Sequence, residues 1–420
     1  MQAVRINSVN LENQLLAVEL THSKSITNRA IIARAVASNP IELHGISDSN
    51  DSIVIQRIIS SENQSWNVED AGTALRFLLA YACAKNIDCE LFGTERLHQR
   101  PIKSLVDALI ELGFSVEYLN KIGFAPLKIR KRNTQTSLKK YVEVDATKSS
   151  QFVSALMLVA PLFPDGLEIL VVPEKPASAP YIQTTFQLMS EWGFDIQWAS
   201  VNRLRIGNKT NLGIGSYTIE KDWSAAGFWY LLVSLHPKLE IFLKGLSLNS
   251  IQADKLTAQI FAHLGVKTTE CNQGVLIKNT ANQSTKPIEF NLLNSPDIFP
   301  CLAVALSYLS PEEKIKFTLT GLETLAYKES DRLQAIVVEL KKFGVQLIEI
   351  SPGKWQLYGS FICSQETIET YNDHRLAMAF AMLGTKVGLS ISETHSVQKS
   401  YPNFWTEFPT KVNLPFGPTL

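Results

Sequence analysis

The stretch DWSAAGFWYLLV, Asp222 to Val233, decides how the chain is read. An acidic residue is followed by small residues and then by a run that is apolar on every side of a helix. Such a helix belongs inside a protein. The same outline returns as DAGTALRFLLA from Asp70, DATKSSQFVSALML from Asp145, DIFPCLAVAL from Asp297 and DHRLAMAFAML from Asp373. Successive copies are 75, 77, 75 and 76 residues apart. A second outline is a helix closed by Gly and followed by strand-like alternation. It reads LIELGFSVEYL around Gly113, LMSEWGFDIQW around Gly193, IFAHLGVKTTE around Gly265 and ELKKFGVQLIEI around Gly344, at spacings of 80, 72 and 79. Glycine just past a helix tolerates the left-handed backbone that ends it. The two ladders are out of phase, so each repeat holds two helices with strands between them. Any α/β protein alternates helices and strands, and near-equal spacing can arise by chance. Four consecutive intervals within two residues of one another make chance the weaker explanation. An earlier copy, SKSITNRAIIARAVA, starts at Ser23, only 47 residues before Asp70. The spacing therefore predicts six α/β units, three per domain, with the first shortened and a boundary near Glu220.

Composition agrees with a large globular chain. Its 420 residues are 45% hydrophobic and 19% charged, enough for two large domains or three smaller ones. Forty basic and forty acidic residues balance to zero, which disfavours a general nucleic-acid or acidic-membrane binder. The longest nearly apolar run, Phe152 to Phe163, is too short for a bilayer and contains Pro161. The start MQAVRINSVN shows neither an apolar signal core nor an Arg-rich amphipathic stretch, so a cytoplasmic protein is expected. Five scattered cysteines (Cys83, Cys89, Cys271, Cys301, Cys363) show no zinc-like spacing, and packing as small hydrophobes is expected of them.

Each small-residue helix start is a candidate anion site, because free N–H groups and the positive end of the dipole point outward there. Ser23-Lys24-Ser25 with Arg29 gathers two hydroxyls and two cations. Gly72-Thr73 with Arg76 repeats the idea, Ser149-Ser150-Gln151 supplies neutral donors, and His374-Arg375 follows Asp373. Any one of these alone reads best as a capped helix with a solvated charge. Four in a chain of zero net charge favour anion binding. In AYKESDRLQAIVVELKKFG, Ala326 to Gly344, the spacing predicts that Lys328 and Arg332 share a helix face beside Glu329. That set is either an exposed ion pair worth little or a proton-handling carboxylate between cations. Asp297, after Pro296, is either a helix cap or a catalytic carboxylate, and the residues leave both readings open.

Taken in order, SKSITNRA, DAGTALR, ERLHQRPI, SSQF, APYI, YKESDRL, NDHRLAMA and QKSYPNF resemble the 3-phosphoshikimate 1-carboxyvinyltransferases (EPSP synthases), from about Ser23 to Phe404. The KESDRL and NDHR segments, with the terminal lysine segment, separate this family from other enolpyruvyl transferases. The resemblance implies an α/β fold of two similar domains, 21–219 and 1–20 with 220–420. Each would hold three βαβαββ units around a pseudo-threefold axis, with the active site in the interdomain cleft. It also implies transfer of the enolpyruvyl group of phosphoenolpyruvate to the 5-hydroxyl of shikimate 3-phosphate, releasing inorganic phosphate. No metal or organic cofactor, no nucleic acid and no membrane would be involved, and a monomer is expected.

By the same resemblance Lys24 lies between both substrates. Ser25, Arg29, Ser149, Ser150, Ser178 and Tyr181 contact shikimate 3-phosphate, and Gln151 lies near both ligands. Gly72, Arg100, Arg332, Arg375 and Lys399 hold phosphoenolpyruvate, with Lys24 and Gln151 beside them. Asp297 and Lys328 bracket the reacting hydroxyl. Glu329 is the proton donor, so Lys24, Asp297 and Glu329 form the implied catalytic set. The chemistry is consistent: two strongly anionic substrates need several paired cations, and addition followed by elimination needs an acid and a base. Four positions depart from the commoner pattern. Thr21-His22 stands for Pro-Gly, Asp70 for Asn, Ala179 for Lys, and Phe77 for Pro. Asp70 adds negative charge near an anion site, and His22 is expected to be a structural substitute. Two rivals are a sister transferase acting on a UDP-amino sugar and a catalytically dead phosphometabolite binder. The KESDRL segment speaks against the first. Retention of Lys24, Asp297, Glu329, Arg332, Arg375 and Lys399 together speaks against the second.

Overall fold

The structure, a computed structural model, describes residues 3–133, 137–280, 287–309 and 317–410. The chain divides into two compact units, Lys24–Ile219 and Met1–Ser23 with Glu220–Leu420. The N-terminal segment gives β1 (Val4–Ile6) and β2 (Leu15–Glu19) to the second of these. The first unit runs α1 (Lys24–Val36), β3 (Glu42–His44), α2 (Asn50–Ile59), β4 (Ser65–Asn67), α3 (Gly72–Ala84), β5 (Cys89–Phe92), α4 (Lys103–Glu111), β6 (Ser115–Tyr118) and β7 (Leu127–Arg130). It continues with β8 (Tyr141–Asp145), α5 (Gln151–Val159), β9 (Leu167–Val172), α6 (Ala179–Trp192), β10 (Ile196–Ser200), β11 (Arg203–Ile206) and β12 (Ser216–Thr218). The second unit resumes with α7 (Trp223–Leu235), β13 (Glu240–Lys244), α8 (Leu256–Ala262), β14 (Val266–Cys271), β15 (Gly274–Asn279), β16 (Ile288–Asn291), α9 (Phe299–Leu309) and β17 (Phe317–Thr320). It closes with α10 (Arg332–Lys341), β18 (Gln346–Ser351), β19 (Lys354–Tyr358), β20 (Thr367–Ile368), α11 (His374–Val387), β21 (Leu389–Ile391) and α12 (Phe404–Glu407).

The segment β4-α3-β5-α4-β6-β7 is a βαβαββ unit. Its first two strands are parallel, and the last lies antiparallel between the second and third. The same pairing recurs over β8 to β11 and over β16 to β19. It recurs again in β2, β13, β14 and β15, where the whole first unit is inserted between β2 and α7. The two remaining units are abbreviated. One joins β3 to β12, and the other joins β1, β21 and β20. Each is assembled from both ends of its own unit's chain, and its strands are only two or three residues long.

The helix that follows the first strand of each repeat is the central one. In the first unit α1, α3 and α5 each touch the other two, and in the second α7, α9 and α11 do the same. That mutual contact buries them on nearly every side: in α9 every residue from Phe299 to Ser307 is buried, while α1 buries Thr27, Asn28 and Arg29 along with its apolar residues. The second ladder marks the outer helices α4, α6, α8 and α10. Gly113, Gly193, Gly265 and Gly344 follow them with φ of 105°, 87°, 84° and 75°, and a strand begins within three residues of each. The acidic residue of the first ladder caps its helix at only two of five positions. Asp222 accepts from the N–H of Ser224 and Ala225, and Asp373 from that of Arg375. Asp145 instead ends β8 and turns the chain by accepting from the Thr147 N–H at 2.9 Å, so α5 starts at Gln151, six residues after its acid, where α7 and α11 start one residue after theirs.

Among the described residues no helix is long and apolar enough to cross a membrane. Cys83, Cys89 and Cys301 are buried free thiols, as small-hydrophobe packing requires, but Cys271 and Cys363 are exposed and depart from that expectation.

Candidate active site

In the first unit, α1 opens on Lys24, whose ammonium lies 3.4 Å from the buried Asp51 carboxylate in the first turn of α2. One turn further, Arg29 is fully enclosed. Its Nε donates to Thr185 Oγ1 at 2.7 Å, Nη1 to the Ser25 carbonyl at 2.7 Å and Nη2 to the Tyr181 carbonyl at 3.2 Å. The guanidinium lies over the Phe77 ring, 5.6 Å from its centre. Phe77, one of the departures, thus serves as the apolar floor beneath this cation. All three acceptors are neutral, so burial lowers the Arg29 guanidinium to about 10, with Tyr181 only partly opposing it. Tyr181 is tied in turn to Ser178, whose carbonyl accepts the Tyr181 N–H at 3.0 Å. Ser178 holds a left-handed φ of 60° at the start of α6, immediately before Ala179.

The starts of α3 and α5 are joined through Arg76. Its Nη1 donates to Gln151 Oε1 at 2.8 Å and to the Gly72 carbonyl at 3.3 Å, while Nη2 reaches the Pro101 carbonyl at 3.2 Å. Gln151 Nε2 donates to Thr73 Oγ1 at 3.3 Å, so Arg76 fixes which end of the amide is which. Ser149 Oγ accepts from the Gln151 N–H at 3.3 Å, and Ser150 is buried at the cap position of α5. A Cβ on Gly72 would sit 2.3 Å from Arg100 Nη1. Only a glycine lets that guanidinium lie against the first turn of α3.

In the second unit the centre is Arg332, at the first position of α10 and fully buried. Three carboxylates surround it. Asp373 takes Nε at 2.7 Å and Nη2 at 3.3 Å, Asp297 takes Nη1 at 2.7 Å, and Glu329 takes Nη2. The same Asp297 lies 3.3 Å from Lys328 Nζ and accepts from Arg375 Nη2 at 2.9 Å. Asp373 also accepts from Ser330 Oγ at 3.0 Å. Lys399 ends the 3-10 turn Thr394–Lys399, which packs on α11.

Burial by itself would raise the Asp297 carboxyl, but Arg375, Lys328 and Arg332 together outweigh it and hold the group well below the usual carboxylate range. Burial would lower Arg332, yet Asp373, Glu329 and Asp297 push it the other way, so it stays charged. At Lys328 burial wins over the attraction of Asp297, and its ammonium is more acidic than an ordinary lysine.

One sequence expectation fails here. Lys328 and Arg332 do not share a helix face: Lys328 is extended, with φ −84° and ψ −165°, and Asp331 caps α10 by accepting from the Gln334 N–H. The two cations meet through the Asp297 carboxylate instead. Asp51, Arg76 and Asp373 belong to these clusters beyond the expected set. Arg76 and Asp373 both stand inside the repeated helix starts, which was a signal for them. Asp51 lies in the polar run SDSNDS, where nothing singles it out. His22 forms an isolated antiparallel bridge with Lys221, a backbone role.

Each unit thus carries buried cations at its helix starts on a scaffold of βαβαββ repeats, Arg29 and Arg76 in the first and Arg332 and Arg375 in the second. Solved structures agree on the fold: an EPSP synthase from Acinetobacter baumannii superposes with a TM-score of 0.75 at 19% identity, over 97% of each chain. The enolpyruvyl transferase NikO from Streptomyces tendae gives 0.70 at 15% identity, over 96% of each. Residues 52–408 match the family described as EPSP synthase (3-phosphoshikimate 1-carboxyvinyltransferase). A 3-phosphoshikimate 1-carboxyvinyltransferase of Bacteroides fragilis (strain YCH46) is 35% identical over 393 residues, 93% of each chain. One of Idiomarina loihiensis is 30% identical over 442 aligned positions, 96% of this chain and 98% of that relative. The chain belongs to the EPSP synthase family.

Proposed function

We propose that the chain transfers the enolpyruvyl group of phosphoenolpyruvate to the 5-hydroxyl of shikimate 3-phosphate, with release of inorganic phosphate. It would serve the shikimate route to chorismate and the aromatic amino acids. The observation that carries the chemistry is the cluster of Arg332, Arg375 and Lys328 interleaved with Asp297 and Glu329. Paired cations alone suit an anion binder. Two carboxylates set among them suit a reaction in which one proton is given and another taken.

In this reading Lys24, Ser25, Arg29, Ser149, Ser150, Ser178 and Tyr181 hold shikimate 3-phosphate, with Arg29 supplying a cation that has only neutral acceptors of its own. Gly72, Arg100, Arg332, Arg375 and Lys399 hold phosphoenolpyruvate, and Lys24 and Gln151 serve both. Glu329 gives a proton to the methylene carbon as the 5-hydroxyl oxygen bonds to the neighbouring carbon. The hydroxyl proton passes to Lys328, whose lowered pKa makes the neutral amine accessible, while Asp297 stays ionised and orients both. The tetrahedral adduct then breaks its carbon–oxygen bond to phosphate. The methyl group returns a proton to Glu329, and the hydroxyl proton leaves with phosphate. The enzyme would work as a cytoplasmic monomer on these two small molecules, with no metal or organic cofactor.

Phosphate release measured with three acceptor arms tests the reading. Release is expected with shikimate 3-phosphate and phosphoenolpyruvate together. Release only with a UDP-amino sugar, or with neither acceptor, overturns it.

A further inference from the structure

Arg332 carries five N–H bonds, and their distribution is uneven. Asp373 fills the Nε–Nη2 edge, leaving three N–H at the other end of the guanidinium. Asp297 takes one of these and Glu329 another. A planar anion that grips an arginine by two parallel bonds needs a free edge, and the remaining one is already divided between two of the chain's own carboxylates. Charge points the same way. Lys328, Arg332 and Arg375 face Asp297, Glu329 and Asp373, three against three, so these six groups balance as formal charges and each cation already has a carboxylate beside it.

The three carboxylates are not equally free to go. Asp373 is 0% exposed and also caps α11. Asp297 is held by three cations at once, at 3.3, 2.7 and 2.9 Å. Glu329 is 15% exposed and sits on the non-helical stretch just before α10, where the backbone can carry it away without unwinding a turn. We propose that Glu329 occupies the place at Arg332 that the carboxylate of the incoming anion takes, and that binding exchanges one for the other. The Glu329–Arg332 bond breaks, a substrate carboxylate–Arg332 bond forms, and Glu329 takes up one proton from solvent. The inference rests on Arg332 being a phosphoenolpyruvate ligand.

Proton uptake follows from what then faces Glu329. Lys328 and Arg332 stand on its own segment, Asp297 on the 3-10 turn Pro296–Ile298 before α9, and Asp373 and Arg375 at the start of α11. With Arg332 engaged by the ligand, a further anion beside Glu329 favours its neutral form. Substrate binding would thus load the acid with the proton it later delivers.

The test uses phospholactate, which carries the same carboxylate and phosphate without the double bond, added to the enzyme with shikimate 3-phosphate. Calorimetry runs at about pH 8, where the phosphate is already dianionic, in buffers of different ionisation enthalpy. Wild type is expected to take up close to one proton per ligand. Glu329→Gln is expected to lose that uptake and to bind phospholactate about tenfold tighter or more, since a competing charge-assisted bond is gone, while turnover of phosphoenolpyruvate falls. Absence of uptake by wild type overturns the exchange, and that measurement does not depend on any variant folding. Unchanged or weaker binding by a folded Gln variant overturns it too. A wild type that turns over normally but fails either test loses only this inference. One that releases no phosphate from phosphoenolpyruvate loses the functional reading first.

Discussion

Arg29 and Arg332 are both buried guanidinium groups, and their surroundings assign them opposite energetics. Arg332 gains three carboxylates and is held charged. Arg29 gains two carbonyls, a hydroxyl and an aromatic ring. A basic group whose pKa falls on folding destabilises the native state wherever it is charged in both states, and is relieved only above its folded pKa. For Arg29 that window is every pH below about 10, since the group falls from 12.5 to about 10. The fall is worth on the order of 3 kcal/mol at 1.36 kcal/mol per unit, held in reserve for an anion. Arg29→Met should therefore melt no lower than the parent in the absence of ligand, and up to several degrees higher. Shikimate 3-phosphate, which should raise the melting temperature of the parent, should leave that of the variant where it was. Scanning calorimetry with and without the ligand reads both. A variant that melts well below the parent would mean that the three hydrogen bonds outweigh the buried charge.

At the scale of elements, the all-round apolar helix was the legible feature. Recurrence of the same outline identified α3, α5, α7, α9 and α11, because a helix buried on nearly every side reads as an unbroken apolar run. The glycine ladder was legible for a related reason, since left-handed backbone after a helix restricts the residue type. Short strands and turns were not. The extended Lys328 and the capping Asp331 are a local choice made where the Asp331 carboxylate accepts from the Gln334 N–H, and charge spacing alone could not distinguish it from one more helical turn. Gly227, inside α7, is a glycine that neither a left-handed backbone nor a close approach requires. An added Cβ would meet Cys301 Sγ at 3.8 Å and Thr257 at 3.9 Å, ordinary contact distances. Gly227→Ala is expected to stabilise by ~0.5–1 kcal/mol through helix propensity and a stiffer unfolded chain. That amounts to a rise of about 1–4 °C in melting temperature for a unit of this size, with turnover unchanged. A fall in melting temperature would show that the contact at Cys301 is tighter than its distance implies.

For the whole molecule, the repeats explain why the chemistry collects where it does. Mutual packing of α9 and α11 brings Asp297, from one repeat, to the Asp373 and Arg375 of the next, and the start of α10 slots Arg332 between them. The first unit uses the same device with α3 and α5, joined through Arg76 and Gln151. A ladder of spacings could show that these starts are equivalent. Their partners could not be read that way, because which carboxylate meets which cation depends on side-chain reach across the helix triplet. The most direct measurement of enolpyruvyl transfer follows the bridging oxygen of phosphoenolpyruvate. With that atom isotopically labelled and shikimate 3-phosphate as acceptor, cleavage of the carbon–oxygen bond should send all of the label into inorganic phosphate. Label retained in pyruvate or in any carbon product would mean that the phosphorus–oxygen bond had broken instead, and the reaction assigned to this site would be wrong.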